Sequence, residues 1–235
     1  RVATGSLDKA GAYSYSYADR SVGRLVTLTE SEMLDNPTRS EATAARIIAV
    51  AKGLFVAGNY SDVTTDMIAR AAKITKGGLY HHFASKEDLY VAMMLGDFDE
   101  KRRLFGQSVA SPGTCRDRLA RLTSDYLELP SQDRDLTHLV RRDINTFSGR
   151  ERSRLINAYQ RALPRQIETI ISDGIRDGEL AAGNARILAW SFVALVEVVI
   201  GKYAEKELGS TGAQLDHVLN LFFDGISTET AGRTT

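Results

Sequence analysis

Two sets of residues in this chain have types and spacings that could do chemistry, and both suit binding rather than bond-making. The first is Lys76-Gly77-Gly78-Leu79-Tyr80-His81-His82-Phe83, followed by Ser85-Lys86 and preceded by Thr64-Thr65. Lys, Tyr and His tips, hydroxyls and the free amides of a helix start suit phosphate oxygens and base edges. Two glycines near a helix start cost roughly 1 kcal/mol each relative to Ala. The compensation expected is a close approach of the backbone to a partner. Between Arg39 and Lys86 stand seven basic residues and three acidic ones, a local +4 in a chain whose 30 basic and 30 acidic residues cancel. A polyanion partner is therefore expected at this segment alone. His81 and His82 are not expected to share a metal ion, because neighbours on a helix diverge by about 100°.

The second set lies in apolar helical segments. Tyr126, His138, Phe147, Tyr159, Trp190 and Glu197 are expected to line an interior cavity, with Arg141 and Arg142 placed to meet an anionic group. Glu197 interrupts the run Ile187–Ile200. A carboxylate there must find a partner, in a second copy of the chain or on a ligand. No nucleophile elbow, phosphate loop, dinucleotide fingerprint or metal-ligand spacing is visible, and Cys115 has no nearby His. The chain is not read as an enzyme, and no catalytic residue, cofactor or metal is assigned.

The elements that must carry these residues are helical. Ile47, Val50, Ala51, Leu54 and Phe55 make one stripe on a 3.6-residue period. Gly58-Asn59 should end that helix, with Asn59 in the left-handed conformation. Thr64 or Thr65 can cap a short second helix and Thr75 a third. Ser85 opens a fourth, to about Phe105, as a capping box in which Asp88 reaches back to the Ser85 amide. Short helices separated by a tight turn form a helix-turn-helix. Later stripes predict helices around Leu119–Leu127 and Leu136–Ile144, one long helix over 155–175 kinked at Pro164, and two more over about 184–207 and 211–226. The fold class is all-α. Residues 1–38 are read as an arm, in which the Ser-Tyr alternation of Tyr13–Tyr17 has no visible partner strand and a short helix could lie around Thr29–Leu34.

Composition bounds the rest. At 235 residues with 43% hydrophobic content, the chain can bury a sizeable core without a staple. One cysteine excludes an internal disulfide framework and suits a reducing cytoplasm. Ile187–Ile200 is too short for a membrane span, and residues 1–20 hold no signal-like apolar run, so a cytoplasmic protein without a membrane partner is expected.

The segment Arg46-Ile47-Ile48, Ala51, Leu54-Phe55, Thr64-Thr65, Ile68-Ala69, Ala72, Lys76-Gly77, Leu79–Phe83 and Ser85-Lys86-Glu87 with Leu89 resembles the DNA-binding domain of the tetracycline-repressor (TetR/AcrR) family of bacterial transcription regulators. Asp173–Leu180 is similar to the end of a long helix in that family's second domain. The chain departs from the pattern at Lys73 (usually Gly), Asn59 (usually Gly) and Asp66 (usually basic or polar).

The resemblance implies domains at 39–86 for DNA binding and 87–235 for effector binding and dimerisation, joined by helix 85–105. It implies that Thr65 binds phosphate, that Lys76, Gly77, Gly78 and His81 face the major groove with Lys76 as base reader, and that Tyr80, His82 and Lys86 clamp phosphates. Leu79 and Phe83 would be core. It further implies a homodimeric repressor of a palindromic operator in double-stranded DNA, released by a small, largely apolar effector such as an acyl-CoA. The apolar Ile187–Ile200 run supports dimerisation independently, with Val199 expected at the interface. An effector domain predicts a cavity larger than a few waters; a closed core would favour a ligand-independent regulator. The alternative function is a helical scaffold that has lost DNA binding.

Overall fold

The computed structural model describes residues 4–7, 13–19, 24–29 and 39–225. From Arg39 onward every regular element is helical: α1 Arg39–Ala57, α2 Thr65–Ala71, α3 Lys76–His82, α4 Lys86–Ala110, α5 Cys115–Glu128, α6 Ser131–Asp143, α7 Gly149–Ala162, α8 Pro164–Arg176, α9 Ala185–Val199, α10 Lys202–Leu208 and α11 Thr211–Phe223. In the arm, β1 Thr4–Leu7, β2 Tyr13–Asp19 and β3 Arg24–Thr29 form an antiparallel sheet in that order. Tyr15 lies opposite Gly5 on one side and Leu28 on the other. The expectation of an arm without paired strands is thus corrected. The partners of the Ser-Tyr segment are the runs on either side of it: Thr4–Leu7 spans four residues, and Arg24–Thr29, with Leu25 and Val26 adjacent, has no strict alternation. Thr29 belongs to β3, and the rest of the suggested Thr29–Leu34 helix lies outside the described residues.

Helix boundaries followed the capping chemistry more than the stripes. The long helix over 155–175 is two helices: Leu163 leaves helical geometry at φ −130°, ψ −67°, and Pro164 opens α8 at its first turn. Proline has no amide to lose there and its φ is preset for a helix start. The helix expected over 184–207 also divides, at Ile200-Gly201. Ser85 does cap α4 through the Asp88 amide at 3.0 Å. The Asp88 carboxylate, however, accepts from the Ser85 hydroxyl at 2.8 Å rather than from its amide. A reciprocal capping box occurs instead at α5, between Thr114 and Asp117.

Two apolar cores divide the molecule, and α4 enters both. In the first, Ile47, Phe55, Ile68 and Leu79 of α1–α3 pack with Leu89, Tyr90 and Met94 of α4 and with Leu136 and Leu139 of α6. In the second, Phe105 at the far end of α4 packs with Leu122 of α5, Ile167 and Ile170 of α8, Phe192 of α9 and Val218 of α11. At 25 residues, α4 is a rod of about 37 Å. It places the short helices at one end and the larger bundle at the other.

Asn59 is not left-handed; among the described residues Lys73 is the non-glycine with positive φ, at 54°. It closes α2. The Ile74 amide donates to Ala69 O at 3.0 Å and the Lys73 amide to Arg70 O at 3.1 Å, the paired bonds of a helix stop whose outer residue must be left-handed. An L-residue pays about 1–2 kcal/mol for that conformation. Lys73 already carries that cost, so Lys73→Gly should hold stability or raise it by up to about 1 kcal/mol in urea unfolding, while the β-branched Lys73→Val, for which a positive φ is a stronger outlier, should lower it. Equal stability of the two variants would show that the turn does not depend on this backbone angle.

Candidate nucleic-acid interface

The short helices are held by their own caps. Thr64 accepts from the Met67 amide at 3.2 Å and Thr75 from the Gly78 amide at 3.0 Å. Thr64 thus spends its hydroxyl on α2, and Thr65 becomes the first helical residue, half-buried. On α3, Leu79 is buried and packs inward, with Phe83 partly buried beside the same core. The same register turns Lys76, Gly77, Tyr80 and His81 outward, and leaves Gly78 and His82 half-buried at the edge. A Cβ placed on Gly77 would meet nothing nearer than Thr75 Oγ1 at 3.9 Å, and one on Gly78 would meet that oxygen at 3.3 Å. The fold's own packing does not require glycine at position 77. Partial burial, then the neighbouring His81, hold the His82 imidazole below its usual range, which favours its neutral form.

Two lysines are placed differently from the expectation. Lys76, the presumed base reader, pairs with Asp66 of α2 at 2.8 Å, and both side chains are more than half exposed. Lys86 does not extend into solvent as a phosphate clamp. Its ammonium donates to Tyr60 O at 2.8 Å and Val63 O at 3.0 Å, and it lies 4.3 Å over the Tyr60 ring. It holds the loop between α1 and α2 against α4, because that loop offers two carbonyls where a helix begins.

The residues expected to line one cavity divide among three places. Phe147 belongs to an aromatic cluster with Phe55, Tyr60 and Tyr90, its ring 5.0 Å from those of Tyr60 and Tyr90. Arg142 leaves the interior altogether: its guanidinium donates to Phe55 O and Gly58 O, each at 2.9 Å, and pairs with buried Asp143. Tyr90 donates to the same Asp143 at 3.0 Å. Arg142 thereby finishes the C-terminal end of α1, which is why Asn59 need not do so. Arg141 pairs with Glu197 across α6 and α9. Both arginines are thus paired within the chain, the Arg141 side chain remaining 61% exposed.

Tyr126 lies in the second core, while Tyr159 belongs with Phe147 to the first, and Trp190 packs against Tyr159 at 6.1 Å between ring centroids. His138 on α6 is half-buried. Burial and then Glu197 raise the Tyr159 hydroxyl above its ordinary range. Among the described residues, the buried side-chain atoms without a hydrogen-bond partner include Thr123 Oγ1, Tyr159 OH and Glu197 Oε1. The cavity beside Thr123 and Tyr126, closed by Leu163, Ile167 and Val196, holds about 10 Å³, room for about one water. The expected open cavity is not formed at this place. Cys115 is buried, and burial pushes its thiol up to about 11, so it is no nucleophile at neutral pH.

A charged joint escaped the sequence reading. Lys52 of α1 pairs with Asp133 of α6 and lies 3.7 Å from Asp97 of α4. Lys101 donates to Asp97 and to Asp133 O, each at 2.6 Å. The four-residue spacing of Asp97 and Lys101 was the one available signal; the rest is tertiary.

A short capped helix whose outer face carries Lys, Gly, Tyr and His, set on α2 through a tight turn and backed by a larger helical bundle, defines a helix-turn-helix DNA-binding regulator. Residues 47–93 match the family model of bacterial regulatory proteins of the tetR family, and residues 112–203 match the tetracyclin repressor-like C-terminal domain. The chain belongs to the tetR family of transcriptional regulators. It is 23% identical over 141 residues to the fatty acid metabolism regulator protein of Bacillus subtilis, covering 59% of this chain and 71% of that one. Its fold is similar to that of FadR from Bacillus subtilis, solved with stearoyl-CoA, at TM-score 0.66 and 18% identity over 78% of this chain and 99% of that one. It is also similar to AibR, solved with isovaleryl coenzyme A and operator DNA, at TM-score 0.67 and 21% identity over 77% and 98%. Among the described residues no helix is long and apolar enough to cross a membrane.

Proposed function

We propose that this regulator acts as a two-fold dimer on a palindromic operator and that an apolar effector of the acyl type, opening the bundle, releases it. The observation that carries the DNA-binding part is the outward set Lys76, Gly77, Tyr80 and His81 on a helix whose other face is core. Thr65, His82 and Gly78 flank that face, and Thr64 and Lys86 support it from behind.

Dimerisation is supported by α9. Ile187, Ala194 and Val198 lie on one exposed stripe with Ser191, and Ile187 and Val198 are 62% and 67% exposed. Val199 cannot be the contact expected from the sequence, because it is buried in the chain's own core at 1% exposure. In α11, Val218 and Leu219 also face inward, and Phe222 meets Phe192 edge-on at 5.0 Å. Two-fold reading heads demand half-sites about 34–36 Å apart. Selection from a randomised duplex pool should therefore return an inverted repeat, and Val198→Asp should halve the sedimenting mass and weaken binding to the selected repeat. An unchanged mass with unchanged binding would remove the dimer from this face; a pool that returns no sequence would remove the DNA-binding reading.

The effector part rests on the unpartnered Thr123, Tyr159 and Glu197 atoms and on the acyl-CoA ligands of the two structural neighbours. With the cavity beside Thr123 and Tyr126 closed, binding there must open it, and the apparent affinity falls by the fraction of open molecules. The 10 Å³ cavity favours a second reading, a ligand-independent regulator. Thermal melts with a series of acyl-CoA chain lengths decide between them. A chain-length-dependent rise in midpoint together with weakened operator binding is expected; no shift with any member supports the second reading.

A further inference from the structure

We propose that Asp66 is a specificity-determining residue of the reading head: it neutralises and orients Lys76 off the operator, and on it accepts from the exocyclic amine of a cytosine or adenine beside the guanine that Lys76 contacts. This deepens the DNA-binding reading above and rests on it. Asp66 sits in the first turn of α2 and Lys76 opens α3. Their 2.8 Å contact spans the two helices, with both side chains exposed on the outward surface. A carboxylate in the first turn of a helix is ordinary, whereas an ammonium at the first residue of a helix opposes the helix dipole. Asp66 offsets that and, foremost by its hydrogen bond, raises the Lys76 amine above its ordinary value.

The geometry sets the range of the effect. An acceptor bonded by another of the tetrahedral N–H groups of the Lys76 ammonium lies roughly 4.5–5 Å from the Asp66 oxygen. Base pairs stack at about 3.4 Å. Whatever base Lys76 reads, the carboxylate stands within about one to two steps of it. There it can meet a guanine acceptor only unfavourably, and a cytosine N4 or adenine N6 donor favourably. Against phosphate alone it repels. A lysine without this partner would hold any duplex; the pair admits only sequences that supply an acceptor and a donor side by side, and the unfavourable contact against the others provides the discrimination.

The test uses the full chain, with Asp66→Asn and Asp66→Ser, since Ser also suits a helix start if Asn perturbs folding. Each is run through selection from a randomised duplex pool and through salt titration on a duplex of random sequence. Wild type should return a half-site with an amine-bearing base next to a guanine. Both variants should lose preference at that one position by about tenfold. They should also bind random duplex more tightly, with a log K against log salt slope steeper by roughly one unit per reading head. In a Lys76→Gln background the added substitution should no longer steepen the slope. Variants that keep the wild-type consensus and slope would reduce Asp66 to a helix-end charge and overturn the proposal, leaving DNA binding intact. A wild type that selects no sequence would overturn the underlying reading, and the inference with it.

Discussion

Replacing Lys101 with Met should cost up to about 3–5 kcal/mol of stability, the largest effect of any single substitution considered, with Asp97→Leu/Lys101→Met recovering most of it. Lys101 and Asp97 are 5% and 7% exposed at their side chains. Burial pushes the Asp97 carboxyl above its ordinary range and the Lys101 ammonium below its own, each against the opposing pull of the other. Desolvation therefore outweighs attraction at both groups. Removing Lys101 takes the 2.6 Å partner from buried Asp97 and leaves it the longer contact to Lys52 at 3.7 Å. The cost therefore approaches the upper figure of about 3–5 kcal/mol only as far as Lys52 fails to compensate, whereas removing both members exchanges an ion pair for apolar volume at little net cost. Urea unfolding of the two variants measures the difference. Equal destabilisation would mean that the backbone bond from Lys101 to Asp133 O, and not the charge pair, is what holds this joint. Lys52 still reaches Asp133 in the double variant, so α1 should remain seated and operator binding should survive.

The joint bears on how a bundle ligand could reach the DNA. Polar contacts that fix α1 and the loop after it to the rest include Lys52 to Asp133, Arg142 to Phe55 O and Gly58 O, and Lys86 to Tyr60 O. Two of them come from α6, the helix that also carries Arg141 opposite Glu197 of α9. A ligand that separates α6 from α9 must break that last pair. Moving α6 also moves the groups that finish α1. Coupling of this kind is reciprocal and typically about 1–3 kcal/mol, so operator DNA should weaken effector binding by the same factor. The sequence marked α4 as the helix that joins the two domains; the contacts add α6.

What was legible in the residues, and what was not, follows from the range of each interaction. The helix-turn-helix was legible because its determinants are local: hydroxyl caps at Thr64, Thr75 and Ser85, the stripe from Ile47 to Phe55, and an ordered run from Lys76 to Phe83. Helix ends failed where a distant group did the capping. Asn59 was a fair candidate to end α1, but Arg142, 84 positions away from Gly58, had already taken that role. The expected grouping of Arg141, Arg142 and Phe147 around one cavity was lost for the same reason. Arg141 and Arg142 are adjacent in sequence and diverge on the helix, one toward Glu197 and the other toward α1. Aromatic spacing located buried positions correctly at Tyr126, Phe147 and Tyr159, yet burial does not say which of two cores a ring joins. Phe147 joined the core beneath the reading head. Strand pairing in the arm was missed because no local pattern in Thr4–Leu7 or Arg24–Thr29 identifies the segment it will pair with.

Gly77→Ala separates folding from DNA recognition, because its two effects have opposite signs. In the free protein the added methyl meets open space, with Thr75 Oγ1 at 3.9 Å the nearest atom. Alanine in place of glycine favours a helix by roughly 0.5–1 kcal/mol, which for a chain of this size raises the melting midpoint by about 1–4 °C. On the operator the same methyl would enter the space between α3 and the duplex. Overpacking a close contact costs about 1–3 kcal/mol, and a dimer meets it twice. Affinity for the selected repeat should therefore fall by about thirtyfold or more. Because a methyl adds no charge and removes none, the salt slope should stay near that of wild type, which distinguishes this loss from that of a phosphate contact. A more stable protein that binds less well is the expected result, read by thermal melting and by operator titration at two salt concentrations. If binding is unchanged while the melt rises, the start of α3 does not lie against the duplex, the glycine pair has no role in recognition, and the reading face must be sought further along the helix, at Tyr80 and His81.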